Sequence, residues 1–396
     1  QRRVVQDVLN SLKSHKNLLQ IISGPRQVGK TVAARQIAMQ WPGETIFVSA
    51  DSPLRPEPEW LRAQWGRALR AAEKDQTNEI LLVVDEVQKV RGWSEEIKFL
   101  WDRNQIDKPG IKVLLLGSST LLLQQGLTES LAGRFFLHRC SHWEFSEMAA
   151  AFSFNLDQWL YFGGYPGAAE FIEDEMRWAA YVTDSLVETV LTKDVLQMQT
   201  VTKPALLRHL FFLSCGSPAQ ILSYNKMLGQ LHDAGNTTTL AHYVKLLESA
   251  FLLSGLEMFK RGRLKKRGSS PKLVIWNNAL LNAVCGGDMA QNRDDFSWWG
   301  RLVENAVGAY LLNSFAGQPV NIYYWRERGL EVDFVVETPR RLWALEVKSG
   351  NVGKTPGLTK FCRMYPEAEP LIIGSGGVEL EEFFAGNLND LFLSRI

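Results

Sequence analysis

A glycine-rich segment near the start of the chain has the composition of a phosphate-binding loop. Residues 22–36 read ISGPRQVGKTVAARQ and match the pattern GxxxxGK[ST] through Gly24, Gly29, Lys30 and Thr31. Glycines let backbone N–H groups converge on phosphate oxygens, a lysine neutralises the β- and γ-phosphates, and a threonine hydroxyl binds Mg²⁺. A chance glycine-rich turn is the alternative. The predicted nucleotide loop consists of Gly24, Pro25, Arg26, Gln27, Val28, Gly29, Lys30 and Thr31.

Two neighbouring acids, Asp85 and Glu86, follow the apolar run of the segment EILLVVDEVQKV. A fully buried parallel strand has such a continuous apolar sequence. The aspartate at its end would hold Mg²⁺ through water, and the glutamate would act on the attacking water as general base. A strand that ends in two surface acids is the alternative, but the glycine-rich loop upstream favours an ATP-hydrolysing pair.

A third apolar segment, KVLLLGSST, ends in Ser118 and Ser119. In ATPases of this kind, a polar residue at the end of the strand between the other two contacts the γ-phosphate or the attacking water. Either serine is therefore a candidate sensor, and Ser118 is the first choice. Serine is also common in turns that follow strands.

Further along the chain, Asp333 is separated by twelve residues from the triplet Glu346-Val347-Lys348. Alternate residues of a strand point to the same face, so Glu346 and Lys348 are predicted to lie on one side of a sheet. Two carboxylates there can bind Mg²⁺, and the lysine can stabilise charge on a scissile phosphate. The surrounding sequence predicts two strands joined by a tight turn, NIYYWRERGLEVDFVVET and RRLWALEVKSG.

A basic segment, KRGRLKKRGSSPKLVIW, follows a predicted helix-turn-helix in which Asn236 is a plausible N-cap. Its flanks are strand-like, so it is expected to form the hairpin of a winged helix. The segment would follow a phosphate backbone by charge without selecting sequence, whereas the alternative is a solvated loop. The predicted DNA-binding residues are Lys260, Arg261, Arg263, Lys265, Lys266 and Arg267, and Lys272 belongs to the same basic segment.

The composition is that of a soluble globular protein with room for two to four domains. The chain has 396 residues, of which 45% are hydrophobic and 22% charged, and a formal net charge of +1. Its four cysteines have no metal-binding or disulfide spacing. Its apolar runs are shorter than the roughly 20 residues of a membrane-spanning helix, and its start lacks the apolar region of a signal peptide. A cytoplasmic location without a membrane partner is expected.

The motifs GPRQVGKT, VVDEVQ, LLLGSS, SLAGRFF and FGGYPGAAE, taken in order, resemble the AAA+ ATPases of the archaeal and bacterial type with a long C-terminal region. The resemblance implies that Arg134 of the Gly133-Arg134 pair reads the γ-phosphate, within one subunit or across a subunit boundary. An arginine there would stabilise the phosphoryl transition state. It also implies that Pro166 packs near the adenine. A surface role for Arg134 is the alternative, and Arg103 and Arg139 are lesser candidates.

The C-terminal pattern is similar to that of the restriction-endonuclease-like fold, known as PD-(D/E)XK. That fold carries a helical glutamate upstream of its Asp…Glu-x-Lys signature, and Glu304 in the segment WWGRLVENAVGAYLLNSF matches it. The candidate nuclease-like residues are therefore Glu304, Asp333, Glu346 and Lys348. A fold does not establish catalysis, so both an active nuclease and a non-cleaving module remain open.

These elements together predict an α/β protein with a P-loop AAA+ core and three further parts. The expected domains are an ATPase core at 1–150, a helical lid at 151–200, a winged helix-turn-helix at 201–285 and a restriction-endonuclease-like α/β domain at 290–396. The favoured function is a DNA-dependent ATPase that needs ATP and Mg²⁺, forms a homo-oligomer, with a hexamer as one option, and translocates on or remodels duplex or branched DNA. An ATP-gated metal-dependent nuclease and a signalling ATPase switch are the alternatives.

Overall fold

The computed structural model describes residues 2–14, 18–74, 79–107, 110–117, 130–195, 201–231, 235–262, 270–350 and 353–393. The chain forms two compact units, Gln1–Cys140 and Ser141–Ile396. Within the ranges just given, no helix is both long enough and apolar enough to cross a membrane.

The first unit is built on a parallel sheet of five strands in the order β2-β3-β4-β1-β5. Every residue of the central strands β1, β3 and β4 is buried, which explains their mainly apolar sequences. As predicted, the strand that precedes the serines lies between the other two. The strands are β1 (Leu19–Ser23), β2 (Thr45–Ser49), β3 (Ile80–Asp85), β4 (Ile111–Gly117) and β5 (Phe135–Arg139).

Helices cover this sheet and alternate with its strands. The longest of them, α3, buries Leu61 and Trp65 in the same apolar cluster as Trp101 of α4 and the residues of the central strands. Helix α1 packs against α2 and β5. The helices are α1 (Arg3–Ser14), α2 (Lys30–Gln40), α3 (Pro58–Lys74) and α4 (Trp93–Asp107), and a short 3₁₀ helix (Val87–Lys89) follows β3.

The second unit begins with the helical region that the sequence predicts as a lid. Two of its helices start with capping boxes, in which the residue at the helix start and the residue three positions later exchange hydrogen bonds. Its last part, up to Val195, is wound with π-type hydrogen bonds. The elements are α5 (Phe145–Phe152), α6 (Leu156–Phe162), a 3₁₀ helix (Pro166–Phe171), α7 (Glu175–Ala180) and the π-helical segments Tyr181–Glu188 and Val190–Val195.

The next region contains three helices and a two-stranded antiparallel hairpin. Two helices lie where the sequence predicts a helix-turn-helix, and the side chain of Asn236 caps the second of them by accepting a hydrogen bond from the Thr239 N–H at 2.8 Å. The two strand-like flanks of the basic segment also pair as predicted. The elements are α8 (Pro204–Cys215), α9 (Tyr224–Gln230), α10 (Thr237–Ser249), β6 (Leu253–Leu256) and β7 (Lys272–Ile275).

The C-terminal region packs helices around a mixed sheet of order β11-β10-β9-β8. Strands β8, β9 and β10 are antiparallel neighbours, and β11 joins β10 in parallel after α14. The elements are α11 (Asn278–Cys285), α12 (Met289–Asp294), α13 (Phe296–Ser314), β8 (Asn321–Glu327), β9 (Leu330–Glu337), β10 (Leu342–Lys348), α14 (Pro356–Met364), β11 (Ala368–Gly374), α15 (Leu380–Ala385) and α16 (Leu388–Leu393).

One strand prediction is wrong in this region. The segment NIYYWRERGLEVDFVVET forms two strands, β8 and β9, rather than one. Arg328 and Gly329 between them have φ values of 49° and 82°. Positive φ at both positions of a two-residue connection is the geometry that matches the twist of paired strands in a hairpin. The chain therefore reverses at Arg328-Gly329, and Asp333 lies in the second of the two strands.

Candidate functional site

The glycine-rich loop joins β1 to α2, and its shape requires glycine at two positions. Gly29, just before α2, has a φ of 87°, which other residues rarely adopt. A Cβ on Gly24 would lie 1.9 Å from the carbonyl oxygen of Cys140, so no side chain fits there. The loop therefore ends at the N-terminus of α2, where free backbone N–H groups and the helix dipole favour a phosphate.

Lys30 is the first residue of α2, and its side chain is buried under the loop. Its Nζ donates hydrogen bonds to the carbonyl oxygens of Gly24, at 3.0 Å, and Pro25, at 2.5 Å. Burial lowers the pKa of Lys30, although Glu86 and Asp85 nearby oppose this effect. A phosphate in the loop would supply the negative charge that this buried ammonium lacks.

Thr31 and Asp85 meet at the ends of α2 and β3. The Thr31 Oγ1 donates a hydrogen bond of 2.8 Å to Oδ2 of Asp85, which is almost fully buried. Hydroxyl and carboxylate oxygens are the ligands that Mg²⁺ prefers. The pair therefore fits the metal that the sequence predicts next to the phosphate loop, and Thr31 and Asp85 are the residues that would hold it.

Glu86 follows Asp85 in a left-handed conformation with a φ of 54°. This is uncommon for a residue other than glycine and occurs often at functional sites. Its N–H donates to Asp85 Oδ1 at 2.9 Å, and its Oε2 accepts a hydrogen bond of 2.6 Å from Nε2 of Gln88. Sequence reasoning did not single out Gln88, although its position two residues after Glu86 in DEVQ was visible.

The predicted sensor serines are not described by the structure, whereas the predicted arginine, Arg134, is. Ser118 and Ser119 lie outside the described residues. Arg134 forms a two-pronged ion pair with Asp102 of α4, in which Nε and Nη2 donate to the two carboxylate oxygens at 2.7 and 3.1 Å. This pair raises the pKa of Arg134. The phosphate-reading role of Arg134 stays a prediction, and Asp102 is a partner that the sequence did not indicate.

Pro166 begins a short 3₁₀ helix in the second unit, directly after the buried Tyr165. The Tyr165 hydroxyl is 2.9 Å from Nε2 of His142, and the other ring nitrogen of His142 is 3.2 Å from Oδ1 of Asn313. Burial raises the pKa of Tyr165, so its hydroxyl stays protonated at neutral pH. The motif is thus fixed by a buried polar network, and the contact of Pro166 with adenine stays a prediction.

The four nuclease-like residues lie on the elements that the sequence indicates, α13, β9 and β10. Asp333 Oδ2 accepts a hydrogen bond of 2.8 Å from the Val347 N–H, and Lys348 Nζ donates to Glu346 Oε1 at 2.6 Å. Burial and the charge of Asp333 raise the pKa of Glu346. Carboxylate oxygens of Glu304, Glu331 and Asp333 lie within 4.8 Å of one another. Glu331 was missed, although its position two residues before Asp333 puts it on the same strand face.

Lys272 differs from the other cations of the basic segment. It is not one of the six predicted DNA-binding residues, and its side chain is completely buried, with Nζ 2.5 Å from Glu304, 3.3 Å from Glu331 and 3.7 Å from Asp333. It also donates to the backbone oxygen of Asp333 at 3.1 Å. The reason is that Lys272 is the first residue of β7, inside the packed hairpin rather than in the loop before it.

The remaining basic residues are only partly described. Lys260 is exposed, and Arg261 is exposed and forms an ion pair with Glu367. A carboxylate at Arg261 reduces the free positive charge of the segment. The predicted DNA-binding residues Arg263, Lys265, Lys266 and Arg267 lie outside the described residues.

Comparison with protein families supports the reading of the first unit. Residues 16–149 match the family described as AAA domain, AAA_14. Residues 153–291 and 299–385 match two families described as domains of unknown function, DUF8612 and DUF4143. The first unit thus has the α/β fold of a P-loop AAA ATPase core, with its phosphate loop after β1 and its acidic pair after β3.

Individual proteins are similar over most of the chain. Uncharacterized protein Rv2008c of Mycobacterium tuberculosis is 27% identical over 357 residues, which are 88% of this chain and 74% of that protein. Uncharacterized protein MJ1544 of Methanocaldococcus jannaschii is 22% identical over 359 residues, 82% of this chain and 73% of that protein. Among solved structures, the Walker-type ATPase paby2304 of Pyrococcus abyssi has a TM-score of 0.49 and 14% identity, covering 72% of this chain and 95% of that chain.

Proposed function

We propose that this chain is an ATPase that uses ATP hydrolysis to translocate on, or remodel, duplex or branched DNA, and that it works as a homo-oligomeric ring. The observation that carries the first part is the contact of Thr31 with Asp85 beside the buried Lys30. A lysine and a threonine at the N-terminus of α2, with an aspartate at the end of β3, match the needs of a magnesium nucleotide.

The chain's own groups would divide the work of hydrolysis. Lys30 leaves the carbonyl oxygens of Gly24 and Pro25 and pairs with the β- and γ-phosphates. Glu86 accepts a proton from the water that attacks the γ-phosphate, and Gln88 holds the Glu86 carboxylate in place. Thr31 and Asp85 would hold the magnesium ion, which would supply positive charge to neutralise the charge that develops on the phosphates.

The region from α8 to β7 supports the DNA part of the proposal. Three helices followed by an antiparallel hairpin are the arrangement of a winged helix, and Ile221 adds a bridge to Lys272 of the hairpin. The connection between β6 and β7 carries the basic residues from Lys260 to Arg267. Positive charge in this connection would bind phosphates without base readout, so affinity would fall steeply with salt.

The oligomer part rests on Arg134. About one-third of its side chain is exposed, and the ion pair with Asp102 fixes the orientation of its guanidinium group. In a ring, an arginine presented in this way would stabilise the transition state in the neighbouring subunit's nucleotide site. Asp102 would then keep the side chain extended before the neighbour binds.

Two other functions have less support. An ATP-gated nuclease needs a metal among Glu304, Asp333 and Glu346, but Lys272 already lies against two of these acids and Lys348 against the third. A signalling switch would not need a basic hairpin.

The test is ATP turnover with defined DNA. We expect linear, forked and four-way DNA at low salt to raise the rate several-fold, and 0.5 M salt to remove the stimulation, because the phosphate contacts are screened. A rate that is the same with every substrate and without DNA would reject the DNA part of the proposal while leaving the ATPase part intact.

A further inference from the structure

The acidic cluster of the C-terminal region, formed by Glu304, Glu331 and Asp333, surrounds the ammonium group of Lys272. Nζ lies between oxygens of all three carboxylates, at 2.5, 3.3 and 3.7 Å, and 4.9 Å from the centre of the Phe334 ring. A divalent cation bound by these carboxylates would need their oxygens at about 2.0–2.6 Å. The ammonium already fills that space.

Lys272 cannot leave the cluster by a simple side-chain rotation, because it is fully buried and its backbone is held on both sides. Leu256 pairs with it in the hairpin, and Ile221 forms a bridge on the other side. Three residues later, the Asn305 side chain accepts from the Ile275 N–H and donates to its carbonyl oxygen, both at 2.9 Å. Helix α13, which carries Glu304, is thereby attached to β7.

The charges of the cluster agree with an internal cation. Burial raises the pKa of Glu304 to about 7, and the nearby ammonium opposes that rise. Burial alone would lower the pKa of Lys272, but the charges of Glu304, Asp333 and Glu331 outweigh it and keep the lysine protonated. A buried ammonium is strongly favoured where three partly buried carboxylates surround it.

We infer that the Lys272 ammonium takes the place of the divalent metal in the nuclease-like centre, so that the cluster of Glu304, Glu331 and Asp333 binds no catalytic metal. The ion pairs of Lys272 instead fix the basic hairpin to the C-terminal sheet. Two further contacts agree with that fixed position. The N–H of Phe259, just after β6, donates to the carbonyl oxygen of Tyr324 at 2.7 Å, and Met258 forms a bridge with the same residue. The segment that follows β6 is thus held against β8 of the sheet.

The inference is tested with the nucleotide-free full chain by thermal unfolding and by Mn²⁺ titration calorimetry. Lys272→Ala should lower the melting temperature by about 10 °C, because three partly buried carboxylates lose their counter-charge. Millimolar Mn²⁺ should then restore about 5 °C in this variant, because the ion can enter the vacated position. The restoration should vanish in Lys272→Ala with Glu304→Gln, whereas the parent should show no Glu304-dependent response to Mn²⁺.

Lys112→Ala is the matched control, since Lys112 is another buried lysine, placed on β4 and 3.8 Å from Glu79. Its melting temperature should fall without recovery in Mn²⁺. The inference is overturned if Lys272→Ala is as stable as the parent, or if Mn²⁺ does not restore it. If Lys272→Ala does not fold, the test is made on the parent protein instead. Equal heats of Mn²⁺ binding for the parent and for Glu304→Gln support the inference. A binding heat that is present in the parent and absent from Glu304→Gln contradicts it.

Discussion

The hydroxyl of Thr31 donates a hydrogen bond to the carboxylate of Asp85, although the two residues are 54 positions apart in the chain. The contact exists because β1 and β3 are parallel strands that flank β4, so the loop after β1 and the acid after β3 reach the same sheet edge. Ligands of open α/β sheets bind at the carboxyl ends of the strands. Nucleotide binding and hydrolysis can therefore be separated by substitution at this edge.

Lys30→Ala should abolish ATP binding, whereas Glu86→Gln should bind ATP and fail to turn it over. In the proposed mechanism the first change would remove the cation that pairs with the phosphates, and the second would remove only the general base, which typically contributes about 10²–10⁴-fold in rate. Equilibrium binding of a fluorescent ATP analogue, measured beside steady-state turnover, checks both. Normal hydrolysis by both variants would mean that the first unit is not the ATPase site.

Gln88→Ala should lower kcat about tenfold with little change in KM for ATP. Its amide contacts the Glu86 carboxylate, so its loss would misplace the base rather than the nucleotide. Gln88→Glu, which keeps the shape but places two carboxylates together, should be at least as slow. Kinetics over a range of ATP concentrations measure the two constants, and an effect confined to KM would argue against a positioning role.

Arg134→Ala and Asp102→Asn should have different consequences although they break the same ion pair. If Arg134 acts on a neighbouring subunit's nucleotide, its loss should lower turnover strongly, by about 10³-fold or more. Asp102→Asn keeps the arginine and should retain most of the activity. Turnover measured at rising protein concentration provides the readout. Equal losses in the two variants would show that the pair is only structural.

The double variant Lys260→Glu with Arg261→Glu should weaken DNA binding equally for all sequences. The slope of the logarithm of the binding constant against the logarithm of the salt concentration, called the salt slope below, should fall by about 1–2 in magnitude, because each lost phosphate contact lowers it by roughly one. Lys98→Glu, an exposed charge reversal on α4, is the matched control. Fluorescence anisotropy with labelled duplex DNA at several salt concentrations gives both quantities. If all three proteins share one salt slope, the hairpin is not the DNA contact.

Much of the architecture could be predicted because local sequence determines it. The loop from Gly24 to Thr31 and the acid pair after β3 have fixed spacings, and the order of apolar segments predicts a parallel sheet. The second helix of the predicted helix-turn-helix was visible from its periodicity and from its cap at Asn236.

The features that the sequence did not predict depend on tertiary contacts. Lys272 looked like one more cation of a basic run, and only the pairing of β7 and the approach of α13 place it among carboxylates. The reversal at Arg328-Gly329 carried a local signal, but the apolar residues on both sides suggested one long strand. The partners Asp102 and Gln88 come from contacts that residue types alone do not define.

We propose that ATP hydrolysis by the first unit drives changes in DNA without cutting it. The most direct measurement is a titration of Mg²⁺ and ATP with end-labelled forked and four-way DNA, in which strand separation and cleavage are resolved on one gel. We expect strand separation or branch movement that requires ATP and is absent from Glu86→Gln. The DNA strands themselves should stay intact. Cleavage products that appear with Mg²⁺ and disappear in Lys348→Ala, or DNA that stays unchanged at every ATP concentration, would contradict it.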